Sequence, residues 1–361
     1  MSWSQNDKGL EVYEYKFSRM LPKIACFDMD GTLIRTASGK KFPINENDWT
    51  WLSASVPSKI RELSDNDYSI IIMTNQSKFN DGLRTKINNI CKDIDVPILV
   101  LVSTDYTKYR KPMPGFMDYL NSAYAGVIDK QSSFYVGDAM DDNIDHSNCD
   151  LYFAINTGLK FHFAHHFFVT GDKKQTIRKV PSPIKPIFPP VPGNQNIDEY
   201  AVYNVIIMVG PPAIGKSSLS LELEKKYGFI TLSQDNFSTK PRFLKEVAAK
   251  SIANSKIIID NTNRNKQTRL DIINHITENW TKNKTSQPCR IAVVEIIPTN
   301  LQRQIAEYLN YHRCYTSGKW IPSIVYNKYY KEYEDPRNDN INLVEAVKTY
   351  YPNYQDLPFY Y

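Results

Sequence analysis

The chain has 361 residues, 42% of them hydrophobic and 23% charged, with 24 Tyr and 16 Phe to fill cores. That length and balance suit a soluble globular protein of two domains. No run approaches 18 consecutive apolar residues and the first sixteen residues lack an apolar h-region, so neither a membrane span nor a secretory signal is expected. Its five cysteines include no CxxC pair, which argues against a disulfide framework or zinc site and for a reducing compartment. The formal net charge of +5 is compatible with a polyanionic partner.

In chain order, the first half alternates short apolar runs with helical patterns: Ile24–Phe27, Ile70–Met73, Ile98–Val102, Phe134–Val136 and Leu151–Ile155. Strands separated by helices predict a parallel sheet, and burial on both faces explains why the runs do not alternate with polar residues. Ligands of such sheets bind beyond the carboxyl ends of the strands. There the sequence places Asp28-Met29-Asp30-Gly31-Thr32, then Thr74-Asn75, then Arg110-Lys111-Pro112, then Gly137-Asp138. Each group suits phosphoryl chemistry. Asp28 can attack phosphorus and form an acyl phosphate. Asp30, two residues on and on the same side of an extended chain, can protonate the leaving oxygen. Gly31 allows a tight turn. Thr74, Asn75 and Lys111 offer polar and cationic groups to the phosphate. Asp138 with Asp28 supplies the hard oxygen ligands that Mg²⁺ prefers. Asp142 reads as either a further metal carboxylate or a solvated helix start. The set resembles the haloacid dehalogenase superfamily of phosphatases. That resemblance implies Asp28 as nucleophile, Asp30 as acid/base, Thr74 and Lys111 as phosphate clamps and Asp138 as a Mg²⁺ ligand.

Residues 181–193, PSPIKPIFPPVPG, carry six prolines and read as part of a semi-rigid linker over 171–198, between domains at 1–170 and 199–361.

In the second half the apolar runs are Val205–Val209, Phe229–Leu232, Ile257–Ile259 and Ile291–Ile297, again predicting a parallel sheet. The first leads into Gly210-Pro211-Pro212-Ala213-Ile214-Gly215-Lys216-Ser217-Ser218, a full GxxxxGKS between a strand and a helix. Backbone N–H groups and the helix N-terminus would bind the phosphates of ATP, with Lys216 on the terminal phosphates and Ser217 on Mg²⁺. Asp235, past the next strand, can take a proton from an acceptor hydroxyl. Asp260 stands in a Walker-B-like position and can either hold the metal's water shell or orient Ser217. The helix pattern Gln302–Arg313 offers Arg303 and Arg313 as lid arginines.

The order of the two heads resembles the eukaryotic-type polynucleotide kinase 3′-phosphatases. The matching stretches are Asp28–Ile34, SGKKFPINENDW (Ser38–Trp49), Thr74-Asn75-Gln76, YRKP (Tyr109–Pro112), VGDA (Val136–Ala139), FAINTGL (Phe153–Leu159), the P-loop, and DNTN (Asp260–Asn263). The resemblance implies an α/β protein with a haloacid-dehalogenase-like Rossmannoid phosphatase domain and an adenylate-kinase-like P-loop kinase domain. It implies removal of a 3′-phosphate and ATP-dependent phosphorylation of a 5′-hydroxyl at DNA ends, and a nuclear location; a monomer is expected. By the same match Asp28, Asp30, Asp138, Ser217 and Asp260 surround Mg²⁺; Gly210, Gly215, Lys216, Ser217, Ser218 and Arg313 bind ATP; and Asp235 is the kinase base. No forkhead-associated module is expected before Asp28. Gln234 and Tyr311 stand where relatives often carry arginine. Two alternatives stay open: an RNA end-healing enzyme with the same motifs, and a phosphatase whose kinase half only binds DNA.

Overall fold

The computed structural model describes residues 2–141, 147–169, 178–183, 185–252, 256–282, 288–297, 299–354, 357 and 359–361. The chain divides into two compact units: Met1–Lys185 with Tyr311–Trp320 and Pro358–Tyr361, and Pro186–Asn310 with Ile321–Leu357. The division falls inside the proline-rich stretch. Phe188, from that stretch, packs half-buried against Tyr308 and Tyr354 in the second unit.

The first unit contains, in chain order, β1 (Ser2–Asp7), β2 (Leu10–Tyr15), β3 (Lys23–Phe27), β4 (Ile34–Arg35), β5 (Thr50–Trp51), α1 (Val56–Asp65), β6 (Tyr68–Asn75) and α2 (Asp81–Ile94). It continues with β7 (Ile98–Ser103), α3 (Gly115–Ala123), β8 (Phe134–Gly137), α4 (Cys149–Thr157), β9 (Lys160–Phe163) and α5 (Ala164–Phe168). Among the described residues, seven of these strands form one sheet in the order β1-β2-β7-β6-β3-β8-β9. Strands β7, β6, β3, β8 and β9 are parallel, with Phe27 level with Ile72 on one side and Val136 on the other. Alternate residues feed two cores: Ala25, Phe27, Ile70 and Ile72 on one face, Ile24, Cys26, Ile71 and Met73 on the other. Burial on both faces is why these strands read as unbroken apolar runs.

Two expectations need correction. The sheet is mixed, because β2 pairs antiparallel with both β1 and β7. Edge strands such as SWSQND need little apolar side chain and leave little signal in a sequence. The run Leu151–Ile155 is not a strand but the body of α4, which ends on Gly158 in the left-handed conformation. This helix packs Leu151 and Tyr152 into one cluster and Phe153 and Ala154 into another. A helix buried on opposite sides loses the 3.6-residue pattern that marks it.

The second unit contains β10 (Val205–Val209), α6 (Lys216–Tyr227), β11 (Ile230–Leu232), α7 (Lys240–Ile252), β12 (Ile257–Ile259), α8 (Lys266–Lys282), β13 (Ile291–Ile296), α9 (Thr299–Ser317) as far as Asn310, α10 (Ser323–Glu332) and β14 (Ala346–Tyr350). Its strands form a parallel sheet in the order β11-β12-β10-β13-β14. The Ile- and Val-rich strands pack with Phe243, Val247, Ile272 and Ile276 of α7 and α8. No described helix is long and apolar enough to cross a membrane.

Candidate active sites

In the first unit, the chain leaves β3 between its two parallel neighbours β6 and β8. Asp28 N donates to Val136 O at 2.9 Å, extending the sheet by one bond and leaving the carboxylate at the strand end. Lys111 arrives from the loop after β7. Its backbone N–H donates to Asn75 Oδ1 at 3.0 Å, and Asn75 Nδ2 returns a bond to Lys111 O at 3.0 Å. Asn75 therefore fixes the lysine through its main chain. The Lys111 ammonium, almost fully buried, donates to Asp28 Oδ1 at 2.7 Å, Asp150 Oδ1 at 2.8 Å and Tyr135 OH at 2.7 Å. Burial alone would pull that ammonium down, but Asp150 and Asp28 outweigh it and hold the proton on.

Asp138 follows β8, and Thr32 Oγ1 donates to its Oδ1 at 3.2 Å. Carboxylate oxygens of Asp28, Asp138 and Asp150 lie within 4.8 Å of one another. Burial pushes the Asp28 carboxyl well above its ordinary range; Lys111 opposes the shift and Asp150 adds to it. Burial likewise raises Asp138, with Asp150 and then Asp28 adding. Three carboxylates facing one lysine in a buried volume leave negative charge uncompensated, and hard oxygen donors so arranged fit a divalent cation such as Mg²⁺.

Asp30 does not bring its side chain into this triad. Lys86 Nζ meets its Oδ1 at 2.6 Å, and Gln76 Nε2 donates to its Oδ2 at 2.7 Å and to Thr74 Oγ1 at 2.8 Å. Gly31 between them has φ of 86°, and a Cβ there would sit 2.3 Å from Asp138 Oδ2. Gly31→Ala should therefore displace the Asp138 carboxylate. Beyond a backbone cost of about 1 kcal/mol, it is expected to lower phosphate release about 10²-fold. Gly39→Ala is the control, since Gly39 also has positive φ (71°) but open space around it. It should lose only the backbone term in thermal denaturation and keep its activity.

Sequence reasoning missed Asp150, Tyr135, Gln76 and Lys86 as parts of the site. A carboxylate inside the apolar stretch Cys149–Ala154, and a lysine on the buried stripe Leu83, Ile87, Ile90 of α2, were the available signals. Asp142 and Asp145 lie outside the described residues.

In the second unit, the P-loop turns from β10 into α6, with Gly215 at φ of 103°. Lys216 Nζ donates to Gly210 O at 3.0 Å and Pro211 O at 2.7 Å, curling over the loop. Ser217 and Ser218 are exposed at the start of α6, and Ser217 Oγ donates to Asp260 Oδ2 at 2.6 Å. Asp235 is exposed, in a 3₁₀ turn after β11. Gln234 N donates to Asn261 Oδ1 at 2.8 Å, joining that turn to the DNTN loop. Asn263 Nδ2 donates to Met208 O at 2.7 Å and Gly210 N to Thr262 O at 3.2 Å, joining the DNTN loop to the P-loop. A cavity of about 260 Å³ is lined by Gln234, Lys240, Asn261, Asn263 and Arg264, among others.

The two lid candidates are placed differently. Arg303 meets Glu307 at 3.1 Å and Asn327 at 2.7 Å, linking α9 to α10. Arg313 lies near the end of α9, within the stretch 311–320 that belongs to the first unit. The helix runs on through Ser317, past Arg313, where its sequence pattern ends.

Residues 23–168 match the family model described as polynucleotide kinase 3 phosphatase. The chain is 27% identical to the bifunctional polynucleotide phosphatase/kinase of Schizosaccharomyces pombe, over 99% of this chain and 85% of that protein. It is 31% identical to the Arabidopsis thaliana polynucleotide 3'-phosphatase ZDP, over 41% of this chain and 24% of that one. A 20.8 kDa protein of Autographa californica nuclear polyhedrosis virus is 34% identical over 46% of this chain and 96% of its own length. Residues 23–168 belong to the polynucleotide kinase 3 phosphatase family, and similarity to a bifunctional polynucleotide phosphatase/kinase extends over 99% of the chain.

Proposed function

We propose that this chain is a bifunctional end-healing enzyme that removes 3′-phosphates and phosphorylates 5′-hydroxyls at DNA strand breaks, using ATP and Mg²⁺. The observation that carries the reading is the pairing of two phosphate sites in one chain. The Asp28–Lys111–Asp150 cluster lies at the strand ends of one unit, and the P-loop with Ser217 on Asp260 lies in the other.

In the phosphatase, an Asp28 oxygen attacks the terminal phosphorus while the bond to the 3′ oxygen breaks, and Asp30 passes its proton to that oxygen. Water then attacks the acyl phosphate, Asp30 takes the water's proton, and Asp28 is released with inorganic phosphate. Lys111 offsets the charge on the phosphoryl oxygens. Asp28, Asp138 and Asp150 would hold Mg²⁺, which supplies Lewis-acid neutralisation of phosphate charge. In the kinase, Asp235 takes the proton of the 5′-hydroxyl as its oxygen attacks the γ-phosphorus and ADP departs. The α6 N-terminus and Lys216 hold the donor phosphates, while Ser217 and Asp260 would hold the kinase's Mg²⁺. The cavity lined by Gln234, Lys240 and Arg264 suits the terminal nucleotide of the acceptor strand. Nuclear DNA repair by a monomer completes the proposal.

The test is a nicked duplex carrying a 3′-phosphate and a 5′-hydroxyl, incubated with the full chain, ATP and Mg²⁺. Both ends should be converted. With Lys216→Ala the 3′ end should still be cleared while transfer of γ-phosphate to the 5′ end is lost. A wild-type protein that leaves both ends untouched, or converts only matched RNA, would overturn the DNA reading.

A further inference from the structure

The phosphatase reading above makes Asp30 the group that moves the proton, and two residues outside the Asp28–Thr32 motif hold it in place. We propose that Lys86, acting with Gln76, is the positioning residue for Asp30: the two donors, one on each carboxylate oxygen, fix its orientation. The inference rests on that reading and deepens it.

Four observations support the assignment. First, the ion pair is lopsided. The Lys86 side chain is 8% exposed and that of Asp30 is 49% exposed, so a buried cation reaches outward to a half-exposed carboxylate. Second, Lys86 is delivered from a rigid support. Helix α2 begins on Asn80, whose side chain accepts from Leu83 N, and docks through Leu83, Ile87, Ile90, Cys91 and Ile94. Third, Gln76 is held on both sides of its peptide: its N–H donates to Ser103 O at 2.7 Å, and Arg110 Nη1 donates to its carbonyl at 3.1 Å. Fourth, the two Asp30 oxygens are shared out, one to each donor.

Chemistry then separates the two oxygens. An ammonium has only donors, so the oxygen facing Lys86 can serve only as an acceptor. Gln76 holds Oδ2 through its amide N–H, which as an uncharged donor binds that oxygen less tightly than the ammonium binds Oδ1. The same Gln76 nitrogen reaches Thr74 Oγ1, which ties the Asp30 carboxylate to the phosphate clamp. As a structural device alone the lysine would be a poor choice. Methionine would cover the same apolar surface without desolvating a charge.

Lys86→Met and Lys86→Arg separate positioning from folding. For Lys86→Met we expect kcat for 3′-phosphate release to fall about 10-fold to 10²-fold at unchanged KM. Thermal denaturation should be unchanged or slightly raised, and 5′-phosphorylation by the same preparation unaffected. Lys86→Arg, which keeps a cation on Oδ1, should recover part of the loss. A Lys86→Met protein whose kcat stays within about a factor of two of wild type would overturn the inference. A kcat loss accompanied by an equal loss of kinase activity and a lower melting temperature would also overturn it, as a structural effect. Failure of the phosphatase reading itself looks different: the wild type would then release no phosphate.

Discussion

Asp28→Asn is expected to lower 3′-phosphate release by about 10⁴-fold or more while leaving 5′-phosphorylation at the wild-type rate. Asparagine keeps the shape of the side chain and the backbone bond to Val136, but its amide cannot form the acyl phosphate. Stability should not suffer. Burial raises the Asp28 carboxyl, which means that the folded state disfavours its ionised form. Removing that charge relieves crowding with Asp138 and Asp150, and Lys111 keeps Asp150 and Tyr135 as partners. The measurement uses one preparation and two labelled oligonucleotides, one with a 3′-phosphate and one with a 5′-hydroxyl. Loss of both activities in a protein with an unchanged melting temperature would contradict two separate catalytic sites.

The sequence exposed the parts of the site that follow buried parallel strands. Asp28, Thr74, Asn75 and Asp138 were legible because Ile24–Phe27, Ile70–Met73 and Phe134–Val136 are apolar on both faces and their carboxyl ends are where ligands bind. The groups that complete the site were less legible because tertiary packing brings them in. Asp150 sits in a helix whose burial on two sides erased its period, so the same residues read as a strand. Lys86 looks like any helical lysine until α2 is docked. In the second unit the P-loop, Asp235 and Asp260 carry local signatures. The bonds that bind their loops together, from Asn261 to Gln234 and from Asn263 to Met208, depend on sheet order.

Arg269 extends that dependence to 70 residues of separation and should show the largest stability effect in the second unit. Its side chain is fully buried, and its fork meets Asp339 with Nε to Oδ2 at 2.6 Å and Nη2 to Oδ1 at 2.6 Å. The remaining donors reach Asn263 O at 2.8 Å and Glu334 O at 3.0 Å. Arg269→Met would fill much of the volume but strand a buried carboxylate and remove donors from two carbonyls. Breaking one side of such a pair costs about 3–5 kcal/mol, a large part of the stability of an ordinary domain. The kinase should suffer beyond this, because Asn263, held through its carbonyl by Arg269, also anchors Met208 just before the P-loop. Urea denaturation should register the loss, and 5′-phosphorylation should fall while 3′-phosphate release persists. Adding Asp339→Leu to Arg269→Met removes the stranded charge and should restore stability in part, yet it cannot restore the donor to Asn263. Kinase activity should therefore stay low in the double variant. Full recovery there would mean that the arginine serves stability alone and that the DNTN loop holds its shape unaided.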